Sequence, residues 1–477
     1  MQIFKQWPIY LIGRILPAAI GFSGIALYTR MLDPASFGIY ALLLSTAFLI
    51  GMVGFSWLRV ATLRIMTSIA PADEPDFAAT IALSFVAISI LVAATTICVL
   101  RISAPAVPLS SELLTAAGAI ASGWFELNVS VAQARMRLVT YGLLQAARAV
   151  GALVSSVLLI VAGLKANALL GGFAIGNCAG LLFLAPWQPA LRGTFRVKIL
   201  RELFHFGWPS SAASLTYFTA TFQRFVLTVA GGSAAVGVFA AASDFSQQTV
   251  GLLIGTAMIA GQPLAFRARD LGTPHELSEQ LRNNARLVFG VGLGAAAGLI
   301  ALAVPLAHLY FGPKFQNNAA LLLAISAAAV FLSGVRGYYF EQAFEITRNT
   351  RPMAITAGLR IVMTIVLSTL LIGRFAAVGA GLATLFTEIF GLALSVVWAR
   401  QLMHVPVPLG SFAKIAAATA AMVCILELMP SRSGLWGLVV AIIAGILTYG
   451  ASLAIMYRRQ VCDLLGLHQP VTGLTRT

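Results

Sequence analysis

Apolar stretches of about 20 residues, separated by short polar or basic breaks, recur from one end of this chain to the other, and each is long enough to cross a hydrocarbon core of about 30 Å as a helix. That recurrence leaves no room for a soluble domain. Of the 477 residues, 59% are hydrophobic and only 10% charged, with mean hydropathy +0.90, whereas soluble domains carry about 25% charged residues. The expected fold is an all-α integral membrane protein with about 14 transmembrane helices. The start, Met1 to Trp7, runs into an apolar stretch with no small-residue cleavage site, which reads as a retained first helix rather than a signal peptide.

Six spans are expected in the first half, the sixth from Ala168 to Trp187, and six in the second, including Trp208 to Ala230, Val236 to Phe266, Met353 to Ile372 and Ala376 to Ala399. Two more follow, near Phe412 to Met429 and Leu435 to Tyr457. The corresponding division is 1–190 for an N-terminal six-helix lobe, 191–207 for a linker, 208–400 for a C-terminal six-helix lobe, and 401–477 for two additional helices and a tail. With the N-terminus inside, most of the 31 Lys and Arg residues fall in inner segments. Short basic loops stay cytoplasmic, so both termini are expected in the cytoplasm of a multi-pass protein of the cell inner (plasma) membrane. The net charge of +15 is then positive-inside bias plus contact with anionic lipid, not nucleic-acid binding. In the linker, Phe195, Ile199 and Leu203 recur at helical spacing beside Arg192, Arg196, Lys198 and Arg201, the pattern of a helix lying on the cytoplasmic leaflet.

An internal repeat accompanies this pattern. Gly38-Ile39-Tyr40-Ala41 opens the second helix and Gly237-Val238-Phe239-Ala240 the eighth, while Arg148-Ala149-Val150 in helix five matches Arg360-Ile361-Val362 in helix eleven. Two parallel six-helix lobes form a transporter architecture with the substrate path between repeats.

The stretch Tyr28-Thr29-Arg30-Met31-Leu32-Asp33-Pro34-Ala35-Ser36-Phe37-Gly38-Ile39-Tyr40, together with Gln223-Arg224-Phe225-Val226-Leu227 and Gly237 to Asp244, resembles the oligosaccharide flippase family of the multidrug/oligosaccharidyl-lipid/polysaccharide exporter superfamily. The resemblance extends at least to helix twelve. It implies a transporter, not an enzyme, that flips undecaprenyl-diphosphate-linked repeat units to the outer leaflet for exopolysaccharide, capsule or O-antigen (lipopolysaccharide) synthesis. The implied partners are a polyprenyl-diphosphate-linked saccharide, membrane lipids, and a polysaccharide polymerase with its glycosyltransferases. Gln223 departs from the pattern, since the family often carries Asp there.

Charges within the spans cost about 2.5–3.5 kcal/mol each at the bilayer centre. Five arginines lie there: Arg14, Arg148, Arg224, Arg336 and Arg360. Each either snorkels to the headgroups or faces a cavity; Arg336, near the end of helix ten, is expected to snorkel. Pro17 kinks the first helix just after Arg14, which can turn Arg14 inward, and the resemblance implies a diphosphate-holding arginine in that helix. Arg14, Arg148, Arg224 and Arg360 are the candidate substrate-binding residues. Arg224 and Asp244 match in depth on adjacent helices, as a structural ion pair or as a gate opened by the diphosphate. Glu126 and Glu388, near the middles of helices four and twelve, either couple transport to protons or hydrogen-bond while protonated. Glu341 and Glu345 are expected on a solvated face with Arg348.

Cys98, Cys178, Cys424 and Cys462 are isolated, a pattern that offers neither disulfide framework nor zinc site. No metal site and no cofactor is expected, because phosphate loops, H-E-x-x-H helices and nucleophile elbows are missing from the sequence. Gly290-Val291-Gly292-Leu293-Gly294 lies in an apolar span and reads as helix packing. A multidrug antiporter of the same superfamily is the main rival, but the excess of arginine over carboxylate in the spans favours an anionic ligand. A membrane polysaccharide polymerase or ligase is the other, and it needs an extramembrane loop longer than any here.

Overall fold

The computed structural model describes residues 2–349, 351–429 and 434–457, with side chains described from residue 16 onward except at 185, 186, 210, 212, 213 and 260. Among the described residues the structure is helical, with no strand. The helices are α1 Gln2–Met31, α2 Pro34–Ile65, α3 Glu74–Ser103, α4 Leu109–Ala134, α5 Leu138–Val161, α6 Ala166–Asn177, α7 Val197–Ala213 and α8 Tyr217–Ser246. They continue with α9 Leu252–Leu271, α10 Pro274–Ala301, α11 Ala303–Tyr310, α12 Ala319–Val335, α13 Gln342–Ile346, α14 Arg351–Leu402, α15 Leu409–Leu428 and α16 Gly434–Met456.

Nine helical segments among the described residues are long and apolar enough to cross a membrane. Two of them, Ser214–Leu271 and Arg351–Leu402, run to 58 and 52 residues, more than twice the roughly 20 that one crossing needs. Each is broken inside, at Gly232 (φ 78, ψ 165) and at Ala376 (φ 45, ψ −122). Each therefore crosses twice, and with α1, α4 and α6 added the total comes to about fourteen.

The internal repeat is written in the backbone. Lys165, between α5 and α6, has φ 49 and ψ −123, nearly the conformation of Ala376. The turn before α2 is built by Asp33, extended at φ −80 and ψ 156, whose carboxylate accepts from the Ser36 amide and hydroxyl at 3.0 and 2.8 Å. Burial raises the affinity of the Asp33 carboxyl for its proton, but these bonds outweigh it and hold its pKa below the usual value. Gly232 stands at the matching place before the second half of α8. Beyond these turns the repeats meet each other. A Cβ on Gly38 would lie 1.8 Å from the Ser233 carbonyl oxygen, and one on Gly237 would lie 2.0 Å from that of Pro34. Because Ser233 is to Gly237 what Pro34 is to Gly38, α2 and α8 cross on a local two-fold, backbone against backbone, and only glycine fits at either crossing point.

Packing forms two compact units: Met1–Gln248 with Phe311–Asn318 and Ala357–Thr387, and Thr249–Tyr310 with Ala319–Thr356 and Glu388–Thr477. The core of the first is an aromatic column. Phe55 stacks on Phe85 at 4.8 Å, Phe85 meets Trp124 at 5.2 Å, and Trp124 meets Trp187 at 5.2 Å. The Trp187 indole N–H donates to Asn128 Oδ1 at 2.8 Å, which satisfies its one polar atom. This tie accompanies a departure from the expected sixth span. The α-helix stops at Asn177 and continues as tighter 3₁₀ turns at Cys178–Leu182 and Ala185–Arg192, in a stretch where Pro186 and Pro189 cannot supply the amides of an α-helix.

Next in the chain comes the segment 191–207. Asp76 anchors it, accepting from the Thr194 amide at 2.7 Å and from Arg196 Nε at 2.6 Å. Leu203 is fully buried, and Ile199 packs on the same core. Of its apolar stripe, Ile199 and Leu203 are spent on protein while Phe195 stays exposed, and the segment runs on as α7 through the place where a new span was expected to begin. In the second unit the glycines of α10 pack as expected: a Cβ on Gly294 would press on the Tyr449 ring at 2.9 Å.

Candidate functional site

Within the first unit, α1, α2, α5, α6 and α8 enclose a cavity of about 510 Å³. Its wall is mostly apolar, with polar groups at a few points, the usual composition of a ligand pocket. Arg148 on α5 and both Arg224 and Asp244 on α8 line it. The two cations are held differently. Arg224 is clamped: its Nη1 donates to the Ala41 carbonyl at 2.8 Å and its Nη2 to Asp244 Oδ1 at 2.9 Å. Its side chain is 11% exposed against 39% for Asp244, so the pair presents its carboxylate to the cavity more than its guanidinium. The expected ion pair is present.

Arg148 is the looser cation. Its guanidinium lies 4.5 Å from the Phe125 ring centroid, within cation–π range, and 3.4 Å from Glu126 Oε1, longer than a normal charge-assisted hydrogen bond. A third of its side chain stays exposed. Glu126 is therefore a partner of Arg148 and also lines a small adjoining recess with Arg59 and Ser122.

The other expected residues fall elsewhere. The Arg14 side chain lies outside the described residues. Arg360 is half-buried on α14 and is not among the side chains lining this cavity. Glu388 belongs to a buried cluster in the second unit, where Glu388 Oε2 meets Arg336 Nε at 3.1 Å and Glu341 Oε1 meets Arg336 Nη1 at 2.6 Å. Ser395 donates to Glu341 Oε1 at 3.2 Å. Arg336 does not snorkel, and Glu341 is not on a solvated face; their exposures are 8% each. Arg348 instead approaches Asp270 at 3.5 Å.

The cavity also holds groups that the sequence did not single out. Tyr28, Tyr40 and Tyr217 line it, as does Gln248, whose Oε1 is buried without a hydrogen-bond partner among the described residues. Gln248 stands four residues after Asp244, one turn along the same face of the helix, and that spacing was the available signal. Two guanidiniums, one of them loosely held, beside phenols and a carboxamide suit a ligand that combines an anionic group with hydroxyl-rich rings.

Residues 27–317 match the family model described as "Polysaccharide biosynthesis protein". No curated protein sequence matches the chain. Among solved structures, the lipid II flippase MurJ in an inward closed conformation superposes with a TM-score of 0.77 at 15% identity, covering 95% of this chain and 99% of that one. An inward-facing multidrug resistance MATE family transporter of the MOP superfamily gives 0.63 at 15% identity, over 86% and 99% of the two chains. The MATE transporter VcmN of Vibrio cholerae, as a single-residue mutant, gives 0.57 at 16%, over 84% and 96%. These likenesses establish the fold.

Proposed function

We propose, from the premise that the chain belongs to the polysaccharide biosynthesis protein family, that this multi-pass membrane protein flips a polyprenyl-diphosphate-linked saccharide from the cytoplasmic to the outer leaflet by alternating access. The observation that carries the reading is the cavity lined by Arg148, Arg224 and Asp244. Arg148, held only at 3.4 Å by Glu126, is the group that a diphosphate recruits first. The tyrosines receive sugar faces, and the prenyl tail stays in lipid. In this reading Asp244 is a gate: the diphosphate competes with it for Arg224.

Translocation of the lipid-linked substrate and membrane abundance, measured for Arg148→Ala, Arg224→Gln, Asp244→Asn and the Arg224→Gln/Asp244→Asn double variant, test this. Arg148→Ala is expected to cut translocation at least about tenfold with abundance retained, the scale of one lost charge-assisted hydrogen bond; Lys at that position restores it only in part because the bidentate fork is lost. Asp244→Asn leaves abundance intact and changes translocation. Full translocation in Arg148→Ala removes the diphosphate assignment, and simple additivity of the Arg224 and Asp244 effects removes the gate.

Orientation has its own check. Both termini and the connection from Arg267 to Arg286 face the cytoplasm in this proposal, so a cysteine placed at Ser278 stays unlabelled by an impermeant maleimide in intact cells. Ready labelling there inverts the topology.

A further inference from the structure

The first four turns of α10 carry a feature that transport through the cavity does not use. His275, Ser278, Glu279, Arg282 and Arg286 line a recess of about 300 Å³, and their spacing puts them on one face of the helix. The opposite face, Leu277, Leu281, Asn284, Ala285 and Val288, is buried, so the recess stripe is the helix's open side. Arg286 is held in place: its Nε donates to Ser411 on α15 at 3.1 Å and its Nη1 to Asn283 Oδ1 at 3.0 Å. Among the described residues Arg282 makes no hydrogen bond or ion pair.

Like charges one turn apart destabilise a helix, and two guanidiniums beside an imidazole outweigh the one carboxylate of Glu279. Basic loop residues orient a membrane protein wherever they point. They do not need a recess, nor one arginine fixed by a neighbouring helix while the next is left open. The geometry points to a phosphate-binding recess in which Arg282 and Arg286 hold a phosphate group, either the headgroup of an anionic phospholipid or a free phosphate. Guanidinium forks match phosphate oxygens in geometry and charge, and the anion most available at the end of a membrane helix is the lipid phosphate. This site is distinct from the cavity and stands without the transport reading.

Native mass spectrometry of the purified full chain tests it, with phosphatidylglycerol, phosphatidylcholine and inorganic pyrophosphate titrated separately against the parent, Arg282→Gln and Glu279→Gln. Arg282→Gln is expected to weaken binding of phosphatidylglycerol about tenfold, as the loss of one charge-assisted contact does, whereas Glu279→Gln tightens it; phosphatidylcholine binding stays unchanged in both. If the opposed changes appear for pyrophosphate and not for phosphatidylglycerol, the recess holds phosphate from a soluble source. Equal binding of phosphatidylglycerol, and equal binding of pyrophosphate, by all three proteins overturns the proposal. So does a loss in Arg282→Gln without a gain in Glu279→Gln, because general damage to the fold produces that result.

Discussion

Gly38→Ala is expected to leave little folded protein in the membrane, and Gly38→Val none that survives detergent extraction. In most helices the change from glycine to alanine is favourable by about 1 kcal/mol. Here the added Cβ would sit 1.8 Å from the Ser233 carbonyl oxygen and 2.8 Å from the Gly237 amide nitrogen. Both obstacles are backbone, so no side chain can turn aside, and α2 and α8 would have to move apart along their shared crossing. Overpacking that a side chain can absorb costs about 1–3 kcal/mol; a backbone clash exceeds that. Gly358, with nothing within 4 Å of its would-be Cβ, is the control, and alanine there is expected to be neutral or mildly stabilising. Fluorescence-detected size exclusion of both variants decides the matter. A Gly38→Ala protein as abundant and monodisperse as the Gly358→Ala protein would mean that the crossing tolerates a wider separation.

Arg336→Gln is the second large effect. It removes the cation from between Glu341 and Glu388, each within 3.1 Å of it, and leaves two carboxylates facing each other in a buried site. Breaking a buried ion pair from one side costs about 3–5 kcal/mol, enough to lower the melting temperature by about 3–5 °C in a chain of this length. The triple variant Arg336→Gln/Glu341→Gln/Glu388→Gln removes charge from all three positions and is expected to recover most of that loss, because the cost lies in the uncompensated charge. Thermal unfolding followed by intrinsic fluorescence measures both. An Arg336→Gln protein that melts with the parent would show that the cluster contributes no net stability, and failure of the triple variant to recover would assign the loss to packing instead.

How far the sequence reaches can be judged from these residues. Apolar run length conveys the spans, since lipid thickness imposes it directly, and matched depth conveys the pairing of Arg224 with Asp244. The repeat conveys that Gly38 and Gly237 are equivalent, but not that they touch each other, because equivalence under a symmetry operation is silent about distance from its axis. The pairing of Arg336 with Glu341 was hidden for a different reason. At 100° per residue, positions five apart on an α-helix point well away from one another, so Glu341 reads as part of a face with Glu345 and Arg348. Residues Arg336–Phe340 instead form a π turn, whose wider circuit with its i→i+5 bond brings the fifth residue round to the first. Arg148 and Glu126 were each visible as intramembrane charges. Their meeting depends on how α4 and α5 face each other, which the polar pattern of neither helix specifies.

The π turn at Gln247–Gly251, between α8 and α9, has the same origin and a different consequence. A π turn is what a helix becomes when it accommodates one residue too many without breaking. Within it and beyond it, Val250, Ile254, Met258 and Ala265 are all fully buried, so the surplus residue sits where it keeps that apolar stripe in phase. Deleting one residue from the turn would restore ordinary helix geometry while turning the α9 stripe by about 100° against Gly292 and Gly334, which Ile254 now meets, and leaving Asp244 untouched. The indel history of a chain such as this is thereby constrained: at this point a codon gained could be absorbed by local widening, but the same codon, once built around, could no longer be lost alone.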